Sequence, residues 1–235
     1  MKVLGKDIGT TLDAMYVDIE RRVIEEADSE LRVVALSDGA LSSVDWTPGL
    51  VTISVHSALQ RGALPHVLGI ALQHVRQHLD RYPNVVEGPT DVDGGDLIRV
   101  TLHELIMAPE AEAHLAPLNL NTTWETEQRH AALKELLKNP PADWNEAGAP
   151  GNAFAALQYA RFAIEHPPTM WTSLRASFAE RIPVAAERGA AVVARVHEHG
   201  WADADRCIGS FMAVREELHL EDCVRFTAPH TGELV

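Results

Sequence analysis

Residues 72–82 read LQHVRQHLDRY, and this stretch decides how the first half of the chain is read. His74 and His78 stand four apart, so on a helix both imidazoles lie on one face, a turn from each other. Two histidines at that spacing can share a metal ion. A helix is predicted over 64–81, where Leu64, Val67, Leu68, Ala71, Leu72, Val75 and Leu79 keep a helical period. His74 and His78 fall at the margin of that apolar stripe, and Val75 falls near its middle. Twelve histidines in 235 residues give about 0.6 such pairs by chance, so the pair gains meaning only from its surroundings.

Upstream, residues 11–29 place Leu12, Met15, Tyr16, Ile19, Val23 and Ile24 at three- and four-residue intervals, which predicts an amphipathic helix. Residues 31–39 (LRVVALSDG) form a short β-branched run ending at a turn signal. Residues 49–59 alternate Val51, Ile53 and Val55 with polar neighbours, the pattern of a strand near a sheet edge. Downstream, residues 84–96 are rich in Gly, Pro and Asp and read as a loop. Helical spacing returns over 97–108, and Pro109 interrupts it, so a new or kinked helical segment is expected to start there. Another helix is predicted over 126–138, stopped by Asn139-Pro140-Pro141. Residues 139–152 are the best boundary, and 153–165, 170–181, 184–199 and 203–218 all favour helix. The expected fold is α+β with helix dominant. A domain over 1–138 carries a small sheet and the histidine helix; an all-helical region over 139–235 could pack on it as one unit.

Composition narrows the function. Thirty-four acidic against 20 basic residues give a net charge of −14, which repels phosphate backbones and anionic lipid, so neither nucleic acid nor a membrane surface is an expected partner. No apolar run approaches the ~18 residues of a membrane span, and the N-terminus lacks the apolar stretch of a secretion signal. A cytoplasmic location is expected. The two cysteines, Cys207 and Cys223, lie outside any CxxC or Cys/His cluster and are expected to remain thiols.

A strand, a short linker, a core helix bearing HxxxH, and then a second helix bearing glutamate about thirty residues on is the order of parts in the gluzincin metallopeptidases. Over about residues 10–120 the chain resembles the compact zincin-like peptidases called minigluzincins. In that family an HExxH helix is followed by a glutamate opening an E-x-x-A-[N/D] pattern. His74-Val75-Arg76-Gln77-His78 matches the two histidines, and Glu110-Ala111-Glu112-Ala113-His114 matches the glutamate and alanine. The resemblance implies zinc held by His74, His78 and Glu110, with Glu112 as the alternative third ligand. A hydrolytic zinc takes three protein ligands, commonly His₂Glu, and keeps a fourth position for water. Ala113 would let Glu110's helix pack closely, and His114 or the loop acids Asp91, Asp93 and Asp96 would orient the ligands.

Two departures change the implied chemistry. Val75 stands where the family carries the glutamate that takes the proton of zinc-bound water, a role typically worth 10²–10⁴-fold. Pro109 sits directly before the implied third ligand. A rival half-motif, LHELIM at 102–107, has His103 and Glu104 in place but Met107 where the second histidine belongs, and a thioether is a poor zinc ligand. His103 and Glu104 read more simply as solvated helix residues. His56 could face a cleft from its strand; His197 and His199 suit a helix end before Gly200; His130, His166, His219 and His230 show no partner pattern. Tryptophans 124, 144, 171 and 201 read as core or interface anchors.

The resulting expectation is a zincin-like, zinc-binding pseudopeptidase, a binding or regulatory scaffold with a peptide or protein partner and room for self-association. The first alternative is an active zinc hydrolase using Glu104 as a substitute base. The second is a helical protein without metal.

Overall fold

The computed structural model describes residues 1–37 and 40–235, so the turn signal at Asp38-Gly39 lies outside the described residues. The chain opens with a short antiparallel pair, β1 (Lys2–Val3) and β2 (Lys6–Asp7), followed by α1 (Thr10–Ala27). Leu12, Tyr16, Ile19 and Val23 form the buried stripe of α1. Ile24, expected in that stripe, is 57% exposed, since it lies about 100° round the helix from Val23.

A three-stranded sheet follows, made of β3 (Glu30–Leu36), β4 (Ser42–Thr47) and β5 (Leu50–His56), in the order β3-β5-β4. β3 runs parallel to β5 and β4 antiparallel to it. The strand expected near an edge, β5, is therefore central, and the edges belong to β3 and to β4, the latter passed over in the sequence reading. Val51, Ile53 and Val55 of β5 are fully buried while their neighbours are partly exposed, so alternation reports one covered face and says nothing of edge or centre. Thr47 pairs with Leu50, leaving Pro48 and Gly49 to make the turn. Gly49 takes φ 76°, a region that glycine enters without strain. α2 (Leu64–Leu79) packs on β4 and β5 and against α1.

Beyond α2 come β6 (Val85–Glu87), α3 (Gly95–Leu115), α4 (Thr123–Leu136), α5 (Pro150–Glu165), α6 (Pro168–Arg181), α7 (Pro183–His199), α8 (Ala204–Leu218) and β7 (Val224–Phe226). α3 runs unbroken through Pro109, against the expectation of a new or kinked segment. An interior proline costs about 3 kcal/mol. The buried face around it, Leu105, Ile106, Met107, Ala108 and Ala111, offsets that cost, since each fully buried large side chain contributes about 1.5–3 kcal/mol. The region after residue 139 is not all-helical either, because β7 pairs antiparallel with β6, Val85 opposite Phe226.

The chain forms two compact units that interleave along the sequence. The first comprises Met1–Asp80 and Ala111–Thr126, the second Arg81–Glu110 and Glu127–Val235, so α3 and α4 each carry residues of both, and the division expected at 139 is not where the units part. The first unit's core gathers Leu12, Ile19 and Val23 of α1, Val51, Ile53 and Val55 of β5, and Leu64, Leu68, Leu72 and Val75 of α2. In the second, α5 packs on α7 and α7 on α8. A Cβ on Gly189 of α7 would come within 2.6 Å of Tyr159 Cβ on α5, so only glycine allows that approach. Asp203 caps α8, its carboxylate accepting from the Arg206 N–H at 2.8 Å. Phe211 stacks on Phe226, and both cysteines are buried thiols in the same cluster. The architecture is helix-dominant α+β. Among the described residues no helix is long and apolar enough to cross a membrane.

Candidate functional site

The apolar period of α2 fixes what its side chains can do. Leu64, Val67, Leu68, Ala71, Leu72 and Val75 enter the first unit's core, and Val75 is fully buried there. His74 and His78 fall beside that stripe. His74 is half-buried, and its Nδ1 lies 2.8 Å from Gln77 Oε1. A carbonyl oxygen can only accept, so Nδ1 is the donor in this hydrogen bond. This is how an outer partner fixes the tautomer of a metal-ligating histidine.

His78 is stacked on Trp46 of the edge strand β4, ring centroids 4.0 Å apart and planes 23° from parallel. Lost hydration holds its pKa below the ordinary histidine value, although the residue as a whole keeps solvent exposure. A neutral imidazole is the form that binds metal. α2 thus presents two nitrogen donors and no acid between them.

The remaining expected residues are distributed as follows. Glu110, 1% exposed, belongs to the second unit, while Glu112 and His114 belong to the first. Glu112 Oε1 lies 2.9 Å from Nε2 of His66, and Glu125 Oε2 lies 2.7 Å from the Nδ1 of the same ring. His66 is only 2% exposed. Burial opposes its charge, but the hydrogen bonds and charges of Glu112 and Glu125 outweigh it, and the imidazole is pushed up to about 9. With a carboxylate at each nitrogen, His66 is an imidazolium donating twice. Glu112, the alternative third ligand, thereby ties the last turn of α3 to α2. Ala113, expected to pack closely, is exposed, and Ala111 is the buried alanine; His114 and Asp91, Asp93 and Asp96 are exposed as well.

In the second unit, Glu104 Oε2 accepts from Arg161 Nη2 at 3.2 Å, and His103 Nδ1 stands 3.9 Å from its other oxygen. The carboxylate proposed as a substitute base is thus engaged by a guanidinium. Met107, the odd member of the rival half-motif, is buried in the core. His56 Nδ1 accepts from the Ala58 N–H at 3.1 Å, a local turn contact.

Sequence reasoning missed His66, Gln77 and Trp46. Gln77 was findable, three residues beyond His74 on a predicted helix. Trp46 lay in the unrecognised strand. His66 had no signal, since its acids lie 46 and 59 residues away. Among the described residues no three His, Cys, Asp or Glu side chains form a group that could hold a metal ion. The arrangement offers two oriented imidazoles beside an edge strand, a set suited to binding, with no carboxylate between them on α2. No protein family, no curated protein and no solved structure matches the chain.

Proposed function

We propose that the chain is a non-hydrolytic binding scaffold of the zincin-like kind, in which His74 and His78 take a divalent metal and β4 with Trp46 receives an extended peptide. The observation that carries this reading is Val75, fully buried in the first unit's core at the position where a hydrolase of this kind needs a carboxylate. The Gln77 contact that orients the His74 ring and the lowered pKa of His78 support the metal part. The edge position of β4 supports the peptide part, because an edge strand keeps backbone groups that a second strand can pair.

The experiment joins two measurements on untagged full-length protein. Zinc is titrated into the native chain and into His74→Ala and His78→Ala, with binding read calorimetrically. A library of extended peptides is then incubated with the zinc-treated chain and analysed for both cleavage and capture. The expected result is zinc binding lost in both variants, and peptides retained intact with retention lost in Trp46→Ala. Cleavage by the native chain would establish the hydrolase instead. Absence of both zinc binding and peptide capture would leave the metal-free helical protein.

A further inference from the structure

Two histidines outside that site have no role in it. His130 lies on α4 and His166 is the C-terminal cap of α5; both belong to the second unit. Their rings are 5.9 Å apart at centroids with planes 24° from parallel, and Phe162 of α5 lies 4.4 Å from the His166 ring. His166 is only 6% exposed. Neither of its ring nitrogens, nor Nδ1 of His130, has a hydrogen-bond partner among the described residues.

The charges facing the pair are mostly cationic. α4 contributes Arg129 and Lys134, and α5 contributes Arg161 and Glu165. Both oxygens of Glu165 are already engaged, one by Arg161 Nε at 2.8 Å and the other by Arg129 Nη1 at 2.6 Å, while Glu104 of α3 takes Arg161 Nη2. A proton on His166 would therefore be a buried cation, and one on His130 a half-buried cation, with no carboxylate among the described residues shown to meet either.

We propose that the stacked, uncharged His130–His166 pair docks the C-terminal part of α4 on α5, and that mild acid undocks it. The proton comes from solvent and no covalent bond changes. Burial first, then Arg129, His130 and Arg161, push His166 down to about 4, and burial with Lys134 lowers His130. At neutral pH both rings are uncharged and the contact is stable. In the opened state His166 takes its proton near its ordinary value of 6.5, so acid favours opening. The first turn of α4 is held separately, by Glu125 on the imidazolium of His66, a contact mild acid leaves in place.

The test is hydrogen exchange of the intact chain, corrected for the pH dependence of intrinsic exchange, at pH 7 and pH 5. Native amides over 127–136 are expected to lose protection roughly 20-fold at pH 5, the linkage of one such histidine. His166→Phe, which keeps a ring against Phe162 and cannot titrate, is expected to remove that response; His166→Gln serves if the phenylalanine variant does not fold. Equal protection of 127–136 at the two pH values in the native chain would overturn the proposal. So would an unchanged response in the variant that folds, or equal loss over α7, which would mean general acid unfolding.

Discussion

At the scale of single residues, Val75 and His66 sort the candidate chemistry from the structural machinery. Val75 occupies the place of a catalytic acid yet contributes to the core. Val75→Glu would put a carboxylate among aliphatic groups, so it is expected to lower stability by about 3 kcal/mol or more without creating peptidase activity. Urea denaturation measures the first and a peptide assay the second; an active, equally stable variant would place this side chain in a solvated cleft. His66 is the reverse case, a charge with a function in the fold. Its folded-state pKa of about 9 lies above the ordinary 6.5, so its contribution is complete below 6.5 and is lost as pH rises through 9. Glu125→Gln removes one of the two acids that hold the proton. The alkaline loss of stability should then begin at lower pH, read as the midpoint of thermal melts between pH 7 and 9.

Elements show which parts of the fold a sequence can carry. α2 and the four late helices were legible because each has its own apolar period or its own punctuation, such as Asp203 capping α8. β4 was not: SSVDWT has only Val44 and Trp46 as apolar members, and their meaning comes from pairing with Ile53 and Val51 across the sheet. The continuity of α3 through Pro109 was equally illegible, since a proline weighs locally against a helix while the packing that overrides it is tertiary. The same holds within the candidate site, where the His74–Gln77 contact is local and readable but the His66 clasp joins distant segments. Packing between α5 and α7 gives a sharp expectation at this scale. Gly189→Ala forces a methyl to within 2.6 Å of Tyr159 Cβ on a neighbouring helix. It should cost about 1–3 kcal/mol despite alanine's better helix propensity, seen as a lower urea midpoint at unchanged slope.

Across the whole molecule, the two units carry buried histidines of opposite pH response. In the first unit His66 holds its proton more tightly when folded, so stability falls as pH climbs from 6.5 toward 9. In the second, His166 binds its proton less readily when folded, so stability falls as pH drops from 6.5 toward 4. Two further histidines respond to acid in the same sense as His166, His130 beside it in the second unit and His78 in the first, both lowered from 6.5. Asp7 and Glu26 titrate below their ordinary values of 3.8 and 4.5, and Cys223 and Tyr16 above their 9.0 and 10.0. Taking the chain from pH 6.5 to 5 should therefore weaken the α4–α5 contact of the second unit by about 2 kcal/mol and the first unit by less, through His78, and taking it to pH 8.5 should weaken the first unit by about 2 kcal/mol and leave that contact in place. Opening free energies from hydrogen exchange, followed at β5 for the first unit and over residues 127–136 of α4 for the second, distinguish this from a uniform response. If both segments moved by the same amount in either direction, the two histidines would be titrating within one cooperative structure, and the compact units would not be independent in stability.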